Sequence, residues 1–176
     1  MLVFDIETDG LLEDVSKIHC INVMDLESGD KSRYTDHKYY QDLNGNETDT
    51  PTPRRGDISA GLKRLADAPE IGGHNIITYD LAVLNALYGF EYTGGVYDSL
   101  VVADLIYTNI RDRDFSALAK GNLPDSFKES GLIGRQSLKA WGVRIGNLKD
   151  DFDPKNFGHT WLTIPFIQEM DDYCMQ

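Results

Sequence analysis

The chain has 176 residues, 41% of them hydrophobic and 26% charged, with a formal net charge of −12. This is the composition of a soluble globular protein long enough for one ordinary core. It excludes a module that grips duplex nucleic acid by neutralising many phosphates, and no run approaches the roughly 20 apolar residues of a membrane helix.

No basic and apolar leader opens the chain. Residues 1–7 read as a first strand, in which Leu2-Val3-Phe4 runs into Asp5-Ile6-Glu7. Residues 17–25 read as a second strand and 31–35 as a third. The polar stretch 36–56 reads as a loop. Asp57 is placed to cap a helix whose apolar stripe is Ile58, Leu62, Leu65 and Ala66. Residues 70–75 form a short strand that enters a loop. Leu81, Leu84, Leu87 and Tyr88 predict a helix over 80–88, stopped by Gly89. Val96-Tyr97 marks another apolar touch, followed by a helix over about 99–109. Residues 111–135 are charged and punctuated by Gly and Pro, with one short helix near 115–120. Helices follow over 136–144 and 163–176, the last with Phe166, Ile167, Met170, Tyr173 and Cys174 on its apolar face. Strands first, then alternation with helices, predict a single α/β domain with a mixed sheet.

Side chains alternate across a strand, so Asp5 and Glu7 share a face. Two like charges on a partly buried face repel, and a bound cation resolves the conflict; a solvated strand edge is the plainer alternative. Asp80 opens a helix, where an acid suits the helix dipole. It also stands where it can project toward the end of the first strand, and sites in open α/β sheets gather at such ends. Asp98 opens the next helix and reads as a cap. Tyr173 reads as core, or as a phenol orienting a water. Cys20 and Cys174 read as buried free thiols rather than a disulfide. The four histidines show no zinc-ligand spacing.

Together, Asp5-x-Glu7, His74-Asn75-x-x-x-Tyr79-Asp80 and Tyr173 resemble the Tyr subclass of the DEDD superfamily of 3′–5′ exonucleases. The chain resembles still more closely the proofreading domains of family A replicative DNA polymerases of short-tailed phages. Those domains have counterparts of Tyr97-Asp98-Ser99-Leu100, Tyr107-Thr108-Asn109 and Leu138-Lys139-Ala140-Trp141-Gly142. The resemblance implies a ribonuclease-H-like fold, with a mixed central sheet flanked by helices. It implies hydrolysis of 3′-terminal phosphodiesters with two Mg²⁺ or Mn²⁺ ions. Asp5 would bridge both ions, Glu7 would hold the first ion and the attacking water, and Asp80 would reach the second. Thr8, Leu11 and Asn75 would contact the terminal nucleotides, and Tyr173 would orient the water. The implied partners are a single-stranded DNA 3′ end and the polymerase domain of a parent chain, and the implied location is the host cytoplasm. The family has a fourth acid four residues after the tyrosine, a position that follows Gln176 here. The expectation is therefore one exonuclease domain, residues 1–176, truncated from a larger polymerase and weakened by that missing ligand. The alternative is a catalytically silent structural or interaction domain of a polymerase.

Overall fold

A computed structural model describes residues 1–148 and 152–175. Strand alternation organises its first unit, Met1–Asp98 with Asp151–Gln176. In β1 (Leu2–Thr8), Leu2, Phe4 and Ile6 face one core, which leaves Asp5 and Glu7 on the opposite face. β2 (Ile18–Asp25) runs antiparallel to β1, and β3 (Lys31–Tyr34) antiparallel to β2. On the other side, β6 (Glu70–Gly73) and β7 (Gly95–Asp98) join in parallel. The sheet is mixed, as the sequence predicts, and its strand order is β3-β2-β1-β6-β7.

The residues 36–56 are not all loop. A hairpin of β4 (Tyr39–Gln41) and β5 (Glu47–Pro51) occupies them. Its turn is built by Asp42, whose Oδ1 accepts the N–H groups of Asn44 and Asn46, with Gly45 at φ 82°. The strands bury little, so no alternating pattern marks them.

Two helices cover the Phe4 face. In α1 (Ile58–Ala66), Ile58 and Leu65 are buried, and the Asp57 carboxylate caps the Ala60 N–H at 2.8 Å. In α2 (Asp80–Tyr88), Val83 and Leu84 join the same core and Gly89 closes the helix in the left-handed region. The Asp5 face carries a second core of Cys20, Tyr40, Ile164, Phe166, Ile167, Met170 and Cys174.

The last helix, α7 (Gln168–Cys174), is shorter than the predicted 163–176. Phe166 is extended because its N–H donates to Gln41 Oε1 at 3.0 Å and its carbonyl accepts the Gln41 N–H at 2.9 Å. The edge of β4 thus takes the hydrogen bonds an early helical turn would need. The predicted helical position of Gln176 lies outside the described residues.

The second unit, Ser99–Asp150, is helical: α3 (Ser99–Ile106), α4 (Ile110–Ala119), α5 (Asp125–Glu129) and α6 (Leu138–Ile145). The predicted single short helix over 111–135 is in fact two. Leu123, Phe127 and Ala140 form the unit's core. The buried face of α4 carries Asp114, which receives Arg144 Nε and Nη2 at 2.9 and 2.8 Å and the Gly134 N–H at 2.8 Å. A charge on the buried face hides the helical period from an apolar-pattern reading.

Candidate metal centre

The antiparallel register of β1 and β2 sets Asp5 opposite Asn22 and Glu7 opposite Cys20. Helix α7 lies on that face and lowers Cys174 onto it. The Cys174 thiol donates toward Asp5 Oδ2 and the Asp5 carbonyl, each at 3.9 Å. One donor atom each from Asp5, Glu7 and Cys174 lie within 4.8 Å of one another. Glu7 and Cys174 are buried and Asp5 is half-buried.

Asp80 arrives from the other side of β1. The β1–β6 ladder matches only Leu2 with Ile71 and Val3 with Gly72. Past Gly73 the chain leaves β6, and the Asp80 carboxylate takes the place of a strand: its Oδ1 accepts the Ile6 N–H at 3.2 Å. Ile6 lies between Asp5 and Glu7 in the chain, so this bond fixes the third acid against β1, where it feels the charge of Asp5, outside the Asp5–Glu7–Cys174 cluster. Asp80 is only 3% exposed. Burial first, then the charge of nearby Asp5, push its carboxyl up to about 8. Carboxylates of this kind, with hard oxygen donors and mutual repulsion, suit a divalent cation.

The loop before Asp80 is held by backbone geometry. Gly73 admits no Cβ, which would meet Ile76 Cγ2 and stand 2.8 Å from the Phe4 carbonyl. Asn75 sits at φ 65°, a left-handed conformation that asparagine tolerates better than most residues. Asp98, at the end of β7, accepts the N–H groups of Asn75 and Ile77 at 2.8 and 3.0 Å. It buttresses this loop across the sheet end rather than merely starting a helix.

The remaining predicted residues fall as follows. Thr8 is buried; its hydroxyl donates to the Gly10 carbonyl at 2.9 Å and lies 2.5 Å from the Tyr79 hydroxyl. Tyr79 also donates to Gly10 at 2.7 Å, so the helix that carries Asp80 is tied to the end of β1. Leu11 is 73% exposed in the turn that follows. The Asn75 side chain engages the Thr78 hydroxyl. Tyr173 is half-buried, with its ring 5.9 Å from that of Phe152. Two further acids near the site serve structure. Asp9 accepts the N–H groups of Ser16 and Lys17 at 2.8 and 3.0 Å. Asp171 is fully buried, 2.6 Å from Arg33 Nε and 2.7 Å from the donating Tyr40 hydroxyl.

The chain is 31% identical to the DNA-directed DNA polymerase of Enterobacteria phage T3 and 29% identical to that of Escherichia phage T7. Both alignments cover 100% of this chain and 25% of the relative. The chain is homologous to part of these phage DNA polymerases. It spans about a quarter of their length. No protein-family model matches it.

Among solved structures, an apo nuclease aligns with a TM-score of 0.54 and 16% identity. The NrnC of Brucella melitensis with bound Mg²⁺ aligns with a TM-score of 0.55 and 15% identity. Each match covers 99% of this chain and 64% of the neighbour. At such low identity the likeness speaks for the fold, which is of the ribonuclease-H-like class.

Two residues at this end of the sheet make contacts that the sequence alone does not mark. Cys174 sits one residue past Tyr173 and was read only as core, yet its sulfur borders both acids of β1. Asp98 was read as a cap. Its real signal was its place at the end of a parallel strand, level with the end of β6, where register sets it opposite Gly73.

Proposed function

We propose that this domain is a metal-dependent 3′–5′ exonuclease that trims single-stranded or frayed DNA ends, as the proofreading part of a phage replicative polymerase. The observation that carries the reading is the Asp80 carboxylate on the Ile6 N–H, between Asp5 and Glu7, although 74 residues separate the partners. Homology to phage polymerases and the nuclease-like fold support the same reading.

In this reading Asp5, Glu7 and Asp80 hold Mg²⁺ or Mn²⁺. When bound, two such ions activate a water for attack and stabilise the leaving 3′ oxygen. The residues of this chain do the rest. Asp5, central on β1, shares a face with Glu7 and lies near enough to Asp80 to raise its pKa. Glu7, one pleat further on, aligns the attacking water. The Tyr79–Gly10–Thr8 hydrogen bonds fix the start of α2 and so the reach of Asp80. Leu11, exposed beside the end of β1, offers an apolar surface for a terminal base. Asn75 presents a polar side chain at the neighbouring loop. Tyr173 supplies a phenol for orienting the water. A fourth acid one helical turn beyond Tyr173 would complete the set.

The test compares the 176-residue chain with its Asp5→Ala variant. Mg²⁺-dependent release of nucleotides from a single-stranded 3′ end is expected to fall on Asp5→Ala. The loss should exceed the roughly 10- to 100-fold typical of removing an outer partner of a metal ligand. Unchanged trimming rejects the assignment. Mn²⁺ calorimetry separates a silent structural domain: such a domain shows no binding that depends on Asp5, Glu7 and Asp80.

A further inference from the structure

The donor set at the end of β1 is not purely oxygen. Cys174 Sγ lies 3.9 Å from Asp5 Oδ2 and belongs to one cluster with Asp5 and Glu7. A tetrahedral ion with a sulfur at about 2.3 Å and an oxygen at about 2.0 Å holds the two donors roughly 3.5 Å apart. The observed separation is within half an ångström of that, reachable by side-chain rotation alone. Cys20 lies behind this sulfur: it stands opposite Glu7 in the ladder and shares the apolar cluster of Cys174. Both cysteines are free and buried, while Asp5 beside them is half-buried and leaves the cluster open to solvent on that side.

Mg²⁺ takes oxygen ligands in octahedral geometry and gains nothing from a thiolate. Zn²⁺ and Cd²⁺ favour tetrahedral sites that include sulfur. We infer that Asp5, Glu7 and Cys174 form a capture site for thiophilic divalent cations, which compete with Mg²⁺ for the two acids and so inhibit the domain. The inference rests on the proposed role of Asp5 and Glu7 as metal-holding residues and adds the sulfur as the discriminating ligand. Coordination replaces the thiol proton, which leaves to solvent; no electron is transferred.

The probe is cadmium chloride added to the 176-residue chain. A thiolate-to-cadmium charge-transfer absorption is expected, saturating at one ion per chain and persisting in excess Mg²⁺. Cys174→Ser should abolish the band and lower Cd²⁺ affinity by more than the roughly 10- to 100-fold of a lost outer partner. Cys20→Ser should keep the band. Circular dichroism checks that each variant folds, and the ¹¹³Cd resonance of the unaltered chain reads sulfur ligation without any substitution. No band, no sulfur-shifted resonance, or a band that survives Cys174→Ser overturns the inference. None of those outcomes touches the nuclease reading, which is judged by Mg²⁺-dependent trimming in chelator-treated buffer.

Discussion

His19 is fully buried, with its ring 5.9 Å from both His37 and Phe166. Among the described residues neither ring nitrogen has a hydrogen-bond partner. Burial first, then the positive charge of Lys17, hold its pKa down to about 3, against 6.5 for an ordinary histidine. The unfolded chain therefore takes up the proton first as pH falls. Stability from the neutral ring is whole above about pH 6.5 and is lost progressively toward pH 3. The slope is about 1.4 kcal/mol per pH unit, or roughly 2 kcal/mol by pH 5. Urea denaturation from pH 7 to pH 4 should show His19→Phe with a flatter dependence than the unaltered chain. Equal slopes would show that His19 is charged or hydrated in the fold. Nothing in the run Lys17-Ile18-His19-Cys20 announces this burial. The β1 acids, by contrast, were legible, because a period of two needs only neighbouring residues. Asp80 was legible as an acid at a helix start near the sheet's end, but its bond to the Ile6 N–H was not, since that depends on a strand that stops early.

At the scale of elements, a buried ion pair joins two helices of the second unit. Arg144 reaches from α6 to Asp114 of α4, and its guanidinium also lies 4.9 Å from the Trp141 ring centroid and 5.4 Å from that of Phe127. Burial pushes the Asp114 carboxyl up, but the Arg144 and Gly134 hydrogen bonds outweigh it and hold it low. Arg144→Ala leaves a buried carboxylate unpaired and should cost about 3–5 kcal/mol of unfolding free energy. Arg144→Lys should recover only part, because an ammonium cannot match the two-pronged contact. Chemical denaturation checks both; a loss below 1 kcal/mol for the alanine variant contradicts the account. The same pair explains why α4 was misread, since its buried stripe is partly ionic. The β4–β5 hairpin was missed for a related reason: its strands are largely polar. Its turn was still written in Asn44-Gly45, a dipeptide suited to the left-handed backbone found there. Pro165 and the Gln41–Phe166 pairing, a long-range contact, set the late start of α7.

At the scale of the whole molecule, a charge of −12 bears on how the proposed nuclease would hold DNA. Phosphate neutralisation dominates ordinary DNA affinity, and this chain has little to spend on it. Metal-free binding of a single-stranded oligonucleotide at physiological salt should be weaker than the roughly micromolar end of non-specific binding. Fluorescence anisotropy in EDTA checks this; tight binding there would mean that basic side chains, not cations, hold the strand. The mixed sheet was predictable from element order, whereas the division into two units was not, because no linker composition marks Ser99. The Asp80–Ile6 bond has one more consequence. A carboxylate that substitutes for a strand cannot give its oxygen wholly to an ion without loosening the seam it closes. The amide proton of Ile6 is therefore a natural reporter, its exchange with solvent tracking whether that oxygen serves the scaffold or the chemistry.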